Sequence, residues 1–337
     1  MLYAKDWRLS LRRIYYEFKK KECYEVGALL YAPALNDTVV KSITNEKFGN
    51  KYSMAFCLED TVADDAVEIA ERQLVETLHQ VYISKQDKKF YLPKIFIRVR
   101  EPQQITKILG MLRDSKEILT GFIFPKYSLD NAAEYNRIMR MINTSGNKMY
   151  YMMPILESKD IIDYATRKEI LLKIKEYIDD VKDYVLNVRV GGNDFSNEFA
   201  ARRHYNESIY DIKPIANLLG DILTVFSREY ILSGPVWEFF SSDNNEWKEG
   251  LIRELALDRL NGFVGKTVIH PKQIEVVNDA LKVSRKDYED AKAILNWSED
   301  NSMCVSKSSS GERMNEVKTH GNWAAKTLIL AEVYGIN

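Results

Sequence analysis

The sequence predicts an α/β fold, a repeat of strand and helix closed into a (β/α)8 barrel, with an N-terminal helix and a C-terminal helical extension. Three observations carry this. Eight short apolar runs rich in strand formers alternate with amphipathic stretches along the 337 residues, with short connections between them. The turn after the first run, APALND, lacks the glycine-rich signature that an open doubly wound sheet would carry there. Several runs end abruptly on charged side chains, as strands of a parallel barrel do where their C-terminal ends open into a mouth.

The elements follow in order. Residues 1–22 are basic and aromatic, and Leu11, Ile14, Tyr15 and Phe18 recur at helical spacing, so an amphipathic helix packed on the body or on a partner subunit is expected. VGALLYAPA (26–34) reads as a buried first strand closed by Pro33, and Asn36 or Asp37 caps a helix reaching Phe48. YSMAFCLED (52–60) is the second strand, ending in two acids, with a helix from Asp64 or Asp65 to His79. FYLPKIFIRVR (90–100) is the third, ending in Arg98 and Arg100, before a helix opened by Pro102. GFIFPKYS (121–128) is followed by a helix from Asp130 to Met141, and KMYYMMPILE by one from Ile161 to Ile178. YVLNVRVGGND leads into a long excursion, FSNEFAARRHYNESIYD, before a helix over 212–228. YILSGPVWEFF (230–240) and GFVGKTVIHP (262–271) supply the last two strands, each with a helix after it.

The expected organisation is an N-terminal helix over 1–25, a barrel over 26–281 and a C-terminal helical cap over 282–337. In that last segment a helix over 286–297 precedes a polar turn, SKSSSGER, expected to be a mobile joint. Beyond it Glu316, Lys318 and His320 precede an apolar helix from Trp323 that needs a surface to bury against.

Composition excludes several classes. With 48 basic and 49 acidic residues there is no electrostatic case for nucleic acid or an anionic membrane as partner. No apolar run is long enough to span a bilayer, and the charged N-terminus is unlike a signal peptide, so a cytoplasmic protein is expected. Cys23, Cys57 and Cys304 show no CxxC spacing, and His79, His204, His270 and His320 form no ligand-spaced pair, which argues against a disulfide framework or a zinc site.

The polar residues at the strand ends form one inventory: Glu59 and Asp60, Arg98 and Arg100, Lys126, Glu157, Asp194 with Arg189 inside its strand, Glu238, and Lys266 with His270. Glu157 closes MMPILE and Asp194 closes VRVGGND, so two carboxylates from consecutive strands point toward one mouth. Such a pair suits Mg²⁺, with Mn²⁺ as an alternative, because a hard cation keeps several waters and needs few protein ligands. An arginine beside it suits an anionic substrate, through planar bidentate bonds to a carboxylate. Gly191 and Gly192 ahead of Asp194 are expected to let a ligand approach the backbone closely. A salt-bridged rim without chemistry is the plain alternative for any single pair. GFVGKT resembles the end of a phosphate-binding loop, but Leu260 stands where the first glycine is needed and TVIHP follows where a helix should, so that function is rejected. His270, lone and followed by Pro271, is read as a structural hydrogen-bonder.

Together these motifs resemble the citrate lyase beta-subunit-like aldolases of the aldolase–citrate lyase family. FCLEDTVADDA is similar to their D-L-E-D-A-V segment, IFIRVR to R-V-N, FIFPKYS to I-x-P-K, and GKTVIHPKQI to G-K-x-x-I-H-P-x-Q-I, with PILES and VGGND fitting the metal-ligand strands. Within it, GALLYAPA, LNVRVGGND, an ARR-x6-YDI stretch and SGPVWEFF look like a divergent bacterial branch of carbon–carbon bond lyases. The resemblance runs over residues 26–335 on a TIM-barrel frame. It implies Glu157 and Asp194 as Mg²⁺ ligands, Arg98 as the grip on substrate, and Glu59, Asp60 and Lys126 as groups near the metal. In the acyl-CoA-cleaving members an acid in a G-x-M-x-D setting, from a neighbouring subunit, closes the site; here GERMNE puts Glu316 or Asn315 at that place, and Arg100 replaces a frequent Asn. The implied function is a Mg²⁺-dependent lyase or aldolase acting on a small hydroxy or oxo acid, or its CoA thioester, through a metal-stabilised enolate. A CoA-independent 2-oxo acid aldolase and a non-catalytic metal- and ligand-binding subunit are the alternatives. A homo-oligomer, trimer or hexamer, with the C-terminal segment as a cap, is implied on the same ground.

Overall fold

Apolar runs bounded by turn residues become parallel strands in the computed structural model, which describes residues 21–297 and 303–337. They are β1 (Ala28–Pro33), β2 (Ser53–Cys57), β3 (Lys94–Arg98), β4 (Leu119–Phe124), β5 (Tyr151–Leu156), β6 (Val188–Val190), β7 (Leu232–Ser233) and β8 (Lys266–Val268). Each pairs with its neighbour in sequence, and β1 pairs with β8, so the sheet runs β7-β6-β5-β4-β3-β2-β1-β8. A parallel bridge between Gly234 and Lys266 joins the two ends and completes a (β/α)8 barrel. The strands are shorter than the apolar runs predict, because only their central residues find ladder partners. All of β2 is buried, as expected for parallel strands covered by helices outside and filled within.

The helices are α1 (Lys21–Tyr24), α2 (Val39–Thr44), α3 (Val67–Asp87), α4 (Pro102–Leu112), α5 (Ala132–Thr144), α6 (Arg167–Asp180), α7 (Gly192–Glu198), α8 (Lys213–Phe226), α9 (Glu246–Asn261), α10 (Lys272–Leu281), α11 (Arg285–Leu295) and α12 (Val317–Tyr334). Pro102 opens α4, where its missing N–H costs nothing, and Ile105, Ile108 and Leu112 form its buried face. The chain divides into two compact units, Val26–Val277 and the flanking segments Met1–Glu25 with Asn278–Asn337. The helix expected over 1–22 lies outside the described residues except for the start of α1. Among the described residues no helix is long and apolar enough to cross a membrane.

In the second unit α11 and α12 pack through Ala291, Ile294 and Ala324, so the apolar last helix buries against its sequence neighbour. SKSSSGER is not a loose joint. It closes a hairpin between β9 (Val305–Lys307) and β10 (Met314–Glu316), and Asp290 of α11 pins it. The Asp290 carboxylate accepts from Arg313 Nε at 2.7 Å, Asn315 Nδ2 at 3.0 Å and the Ser309 N–H at 3.2 Å. Serine composition signalled polarity there, while a buried acceptor decided the order.

Two further expectations are corrected in the barrel. YILSGPVWEFF yields only the two-residue strand Leu232–Ser233, since Pro235 has no N–H to offer a ladder and Gln273 Nε2 donates to the Trp237 and Phe239 carbonyls at 2.9 Å each. Lys266 is not a rim residue. It opens β8, is wholly buried, and its Nζ meets Glu254 Oε1 at 2.9 Å and Asp258 Oδ2 at 2.7 Å, both from α9. Glu254 also pairs with buried Arg203 at 3.2 Å and accepts the Ile209 N–H at 2.9 Å, while Tyr210 donates to Asp258 at 2.7 Å. Arg203 in turn lies over the Trp237 ring, 5.1 Å from its centroid. This network ties the excursion after β6 and the loop after β7 to one helix, which explains ARR-x6-YDI and SGPVWEFF as structural motifs.

Removing one partner from such a network leaves buried charge uncompensated. Lys266→Met is therefore expected to cost about 3–5 kcal/mol in urea unfolding. A loss under about 1 kcal/mol would show that the network contributes no more than a surface pair.

Candidate active site

At the C-terminal ends of β2 to β6 the charged residues of the sequence converge. Arg98 is the last residue of β3, in register with Cys57 of β2 and Ile123 of β4, and is 7% exposed. Its Nη2 alone reaches Glu59 Oε2 at 2.5 Å, Asp60 Oδ2 at 2.8 Å and Glu157 Oε1 at 3.4 Å. Among the described residues nothing bonds Nη1, which leaves one edge of the guanidinium for a ligand. Burial works against its charge, but Tyr31, Glu157 and Glu59 more than offset this and hold Arg98 above the usual arginine range.

Glu59 and Asp60 follow β2 directly, and the Asp60 N–H donates to Glu59 Oε2 at 2.9 Å. Lys126, two residues past β4, bonds Glu59 Oε1 at 2.5 Å and Asp60 Oδ1 at 3.2 Å. Burial raises the Asp60 carboxyl, yet its bond with Glu59 and the cations Arg98 and Lys126 carry it below the usual range. Burial lowers the Lys126 ammonium, and the bonds to Glu59 and Asp60 push it up to about 12 instead. The Lys126 backbone is left-handed, with φ 48°, a conformation costing about 1–3 kcal/mol in a non-glycine residue. That turn aims the Lys126 N–H at Glu157 Oε1, 3.0 Å away.

Glu157 follows β5 and is almost fully buried. Gly191, just past β6, makes room for it: a Cβ there would lie 2.1 Å from Glu157 Oε2. Gly192 likewise lets the chain pass Ile209 and Pro235. The close approach expected for a ligand is therefore made by Glu157 itself. Asp194 lies in the first turn of α7, a helix the sequence reading missed inside the excursion, and its charge acts on Glu157. Burial, and next to it Asp194, push the Glu157 carboxyl up to about 8, although Arg98 and the Lys126 N–H favour its charged form.

These facts bear on a divalent cation. Arg98 and Lys126 stand against Glu59, Asp60 and Glu157, and burial, together with the nearby charge of Asp194, makes Glu157 resist ionisation. Among the described residues no three His, Cys, Asp or Glu side chains cluster closely enough to cage a metal. A pair such as Glu157 and Asp194, with open positions for water and substrate oxygens, fits Mg²⁺ or Mn²⁺ and not a cation that wants a full protein shell.

The remaining inventory sorts differently. Arg100 braces the loop after β2, donating to the Val62 carbonyl at 3.1 Å and pairing with Asp64. Glu238 pairs with Arg202 at 3.4 Å. His270 stacks on Phe240 and accepts the Lys272 N–H at 3.2 Å, in keeping with a structural part. Glu316 belongs to the other unit, where it accepts from Thr319 Oγ1 at 2.7 Å, and neighbouring Asn315 is held by Asp290. Tyr31 of β1 was missed: its ring lies 5.9 Å from the Arg98 guanidinium carbon. Alternation along LLYAPA could have placed it inside the barrel, but an aromatic in a strand reads as core.

Comparison with known proteins adds to this geometry. The model of a family described as C–C bond lyase of the TIM-barrel fold matches residues 20–336. The citrate lyase subunit beta of Haemophilus influenzae is 43% identical over 56 residues, a stretch spanning 17% of this chain and only 19% of that protein. Among solved structures, a citrate lyase from Burkholderia xenovorans LB400 superposes with a TM-score of 0.69 at 14% identity over 93% of each chain. The CitE protein of Mycobacterium tuberculosis, in complex with magnesium, acetoacetate and coenzyme A, gives 0.59 at 17% identity, covering 92% of this chain and 99% of that one. At such identities the likeness is one of fold.

Glu157→Ala and Asp194→Ala are each expected to abolish Mg²⁺ or Mn²⁺ binding in calorimetric titration while the fold is kept. Because Glu157 must lose its proton to take a cation, wild-type affinity should rise by about tenfold per pH unit from pH 6 and level off above about pH 8, with proton release on binding. Unchanged affinity in both variants would end the metal assignment.

Proposed function

The chain belongs to the C–C bond lyases of the TIM-barrel fold, and from that premise we propose that it is a Mg²⁺-dependent lyase or aldolase of a small hydroxy or oxo acid, or of its CoA thioester. The observation that carries the reading is Arg98, with one free edge, set between an acid pair and the Glu157–Asp194 pair. That edge grips a substrate carboxylate or carbonyl by charge-assisted hydrogen bonds, and the same cation offsets negative charge as a carbon–carbon bond breaks toward an enolate. A bound divalent cation supplies Lewis-acid polarisation of a substrate oxygen. Glu157 and Asp194 are the residues that would hold it.

Asp60 is ionised, oriented by Arg98 and Lys126, and is the acceptor for a substrate hydroxyl proton. Those cations weaken it as a base, so the transfer depends on a hydroxyl already acidified in the site. Lys126 orients Glu59 and Asp60, and its left-handed turn keeps Glu157 in place; both depend on the β4 exit being rigid. Glu316 enters the same reading as the acid expected from a neighbouring copy's C-terminal segment, and Glu316→Gln tests it without altering any barrel residue. Support for a thioester is the CitE structure, described with coenzyme A. The CoA-independent aldolase is favoured by Glu316 standing at the place of an expected Asp, with Asn315 committed to Asp290.

The test is a panel of acyl-CoA thioesters and free hydroxy and oxo acids with Mg²⁺, assayed for released glyoxylate, pyruvate or acetate. Turnover is expected from one class, and Arg98→Lys should lower kcat/KM by about 10²–10³-fold, since an ammonium cannot replace a planar fork. Ligand binding without turnover anywhere in the panel would reduce the protein to a binding subunit.

A further inference from the structure

The main chain that carries the acid pair is gripped by one side chain. Arg100 Nη1 faces three carbonyls of the loop after β2, Val62 at 3.1 Å, Leu58 at 3.4 Å and Glu59 at 3.5 Å, and Nη2 pairs with Asp64. The Leu58 and Glu59 carbonyls belong to the peptides that lead into Glu59 and Asp60. Because a peptide is planar, a guanidinium bound to both sets the direction in which those two side chains leave the chain. Asp64 is exposed, so water screens its pair, and the hold lies in the carbonyl bonds.

The arginine is itself fixed from the helix layer. Its N–H donates to Gln104 Oε1 at 2.8 Å, Gln104 Nε2 donates to Glu71 Oε1 at 2.8 Å, and Glu71 Oε2 pairs with Lys107 at 2.6 Å. Gln104 of α4 and Glu71 of α3 are almost fully buried. A carboxylate between two covering helices has no part in the chemistry proposed above. What it does is orient an amide: with Nε2 given to Glu71, Gln104 turns Oε1 toward the Arg100 N–H. Three side chains from two helices and a strand exit thus form one line ending on the Glu59 and Asp60 peptides.

We propose that Arg100 is a positioning residue for the Glu59–Asp60 pair, and that Glu71 and Gln104 set its place. None of the three touches the reacting atoms. The inference rests on the lyase reading for its kinetic test only, since the hold on the loop is measurable without turnover. Its physical basis is that a proton acceptor works only within hydrogen-bond reach of the group it serves, so a turn of the Glu59–Asp60 peptide takes Asp60 out of range.

Kinetics are measured on whichever acid the wild type turns over. Arg100→Ala is expected to lower kcat by about 10²-fold, as a misplacement of about 1 Å does, while Mg²⁺ affinity stays within about twofold because Glu157 and Asp194 follow other strands. A cavity of about 540 Å³ beside Arg100, bordered by Glu71, Gln104 and Lys107, gives solvent ions a way in. Guanidinium at non-denaturing concentration should therefore restore part of the lost rate, saturably, in Arg100→Ala and none in Asp60→Ala. Arg100→Lys, which keeps a charge opposite Asp64 without the planar fork, should fall between, and Gln104→Leu should lower kcat by less than Arg100→Ala. Amide hydrogen exchange over 58–62 should quicken in Arg100→Ala with the β2 amides unchanged. An arginine that served stability alone would lower the unfolding midpoint and leave kcat per folded molecule as it was. Full kcat per folded molecule, or unchanged exchange over 58–62, overturns the inference and leaves the lyase reading standing. Absence of turnover by wild type on every acid overturns the lyase reading, and exchange over 58–62 then decides by itself whether Arg100 holds the loop.

Discussion

Placing Glu157 in the barrel mouth is the constraint on which the rest of the site depends. A carboxylate this deeply buried needs compensation, and it draws it from three directions: the Arg98 guanidinium, the Lys126 N–H and the space left by Gly191. Each of these is costly on its own. Arg98 must be neutralised in turn by Glu59 and Asp60, Lys126 must hold a left-handed backbone, and position 191 must do without a side chain. Five consecutive strand ends are thus committed to one side chain, which makes the arrangement rigid before any ligand arrives.

Buried charge appears twice in the barrel, and the two clusters serve different ends. Behind β8, Lys266, Arg203, Glu254 and Asp258 pair through side chains, joined by Tyr210 and a backbone N–H, although Arg203 Nε and Nη1 make no hydrogen bond among the described residues. In the mouth, Arg98 keeps an edge free, Arg189 keeps a nitrogen free and Glu157 resists ionisation. Position is what separates the two clusters: Lys266, Arg203, Glu254 and Asp258 are wholly enclosed by protein, whereas Asp60 and Lys126 at the mouth remain half-exposed. The same distinction explains why Lys126 and Lys266, both adjacent to strands, share no role.

The positions of the groups also limit how they act. Arg98 and Glu157 sit on or directly after strands, so their spacing is set by the sheet register, while Asp194 is held in the first turn of α7. Asp60 and Lys126 lie one step further out and gain their orientation from each other. Charge is therefore held in place by neighbours that are themselves fixed, and under the proposed function a substrate would meet a field already arranged for it.

Much of this was legible in the residue order, for definite reasons. Period-two apolar runs alternating with helical faces dictate strand and helix, and the eightfold alternation dictates a closed parallel barrel, because each strand needs cover on both faces. Acids and bases at the ends of those runs, Glu59, Asp60, Arg98, Lys126, Glu157 and Asp194, could be assigned to one mouth from topology alone. What the order of residues could not decide was which charges meet. Lys266 and Lys126 look alike in sequence, and only the packing of α9 against β8 sends the first to Glu254 and Asp258. SKSSSGER looks loose until Asp290, from a helix before it, supplies the acceptor. Tyr31 and Arg98 belong to strands far apart in the chain, and the sheet that sets β3 two strands from β1 brings the ring to 5.9 Å from the guanidinium. Local pattern specifies elements through short-range sterics and burial; the pairing of charges depends on long-range contacts that exist only once the barrel has closed.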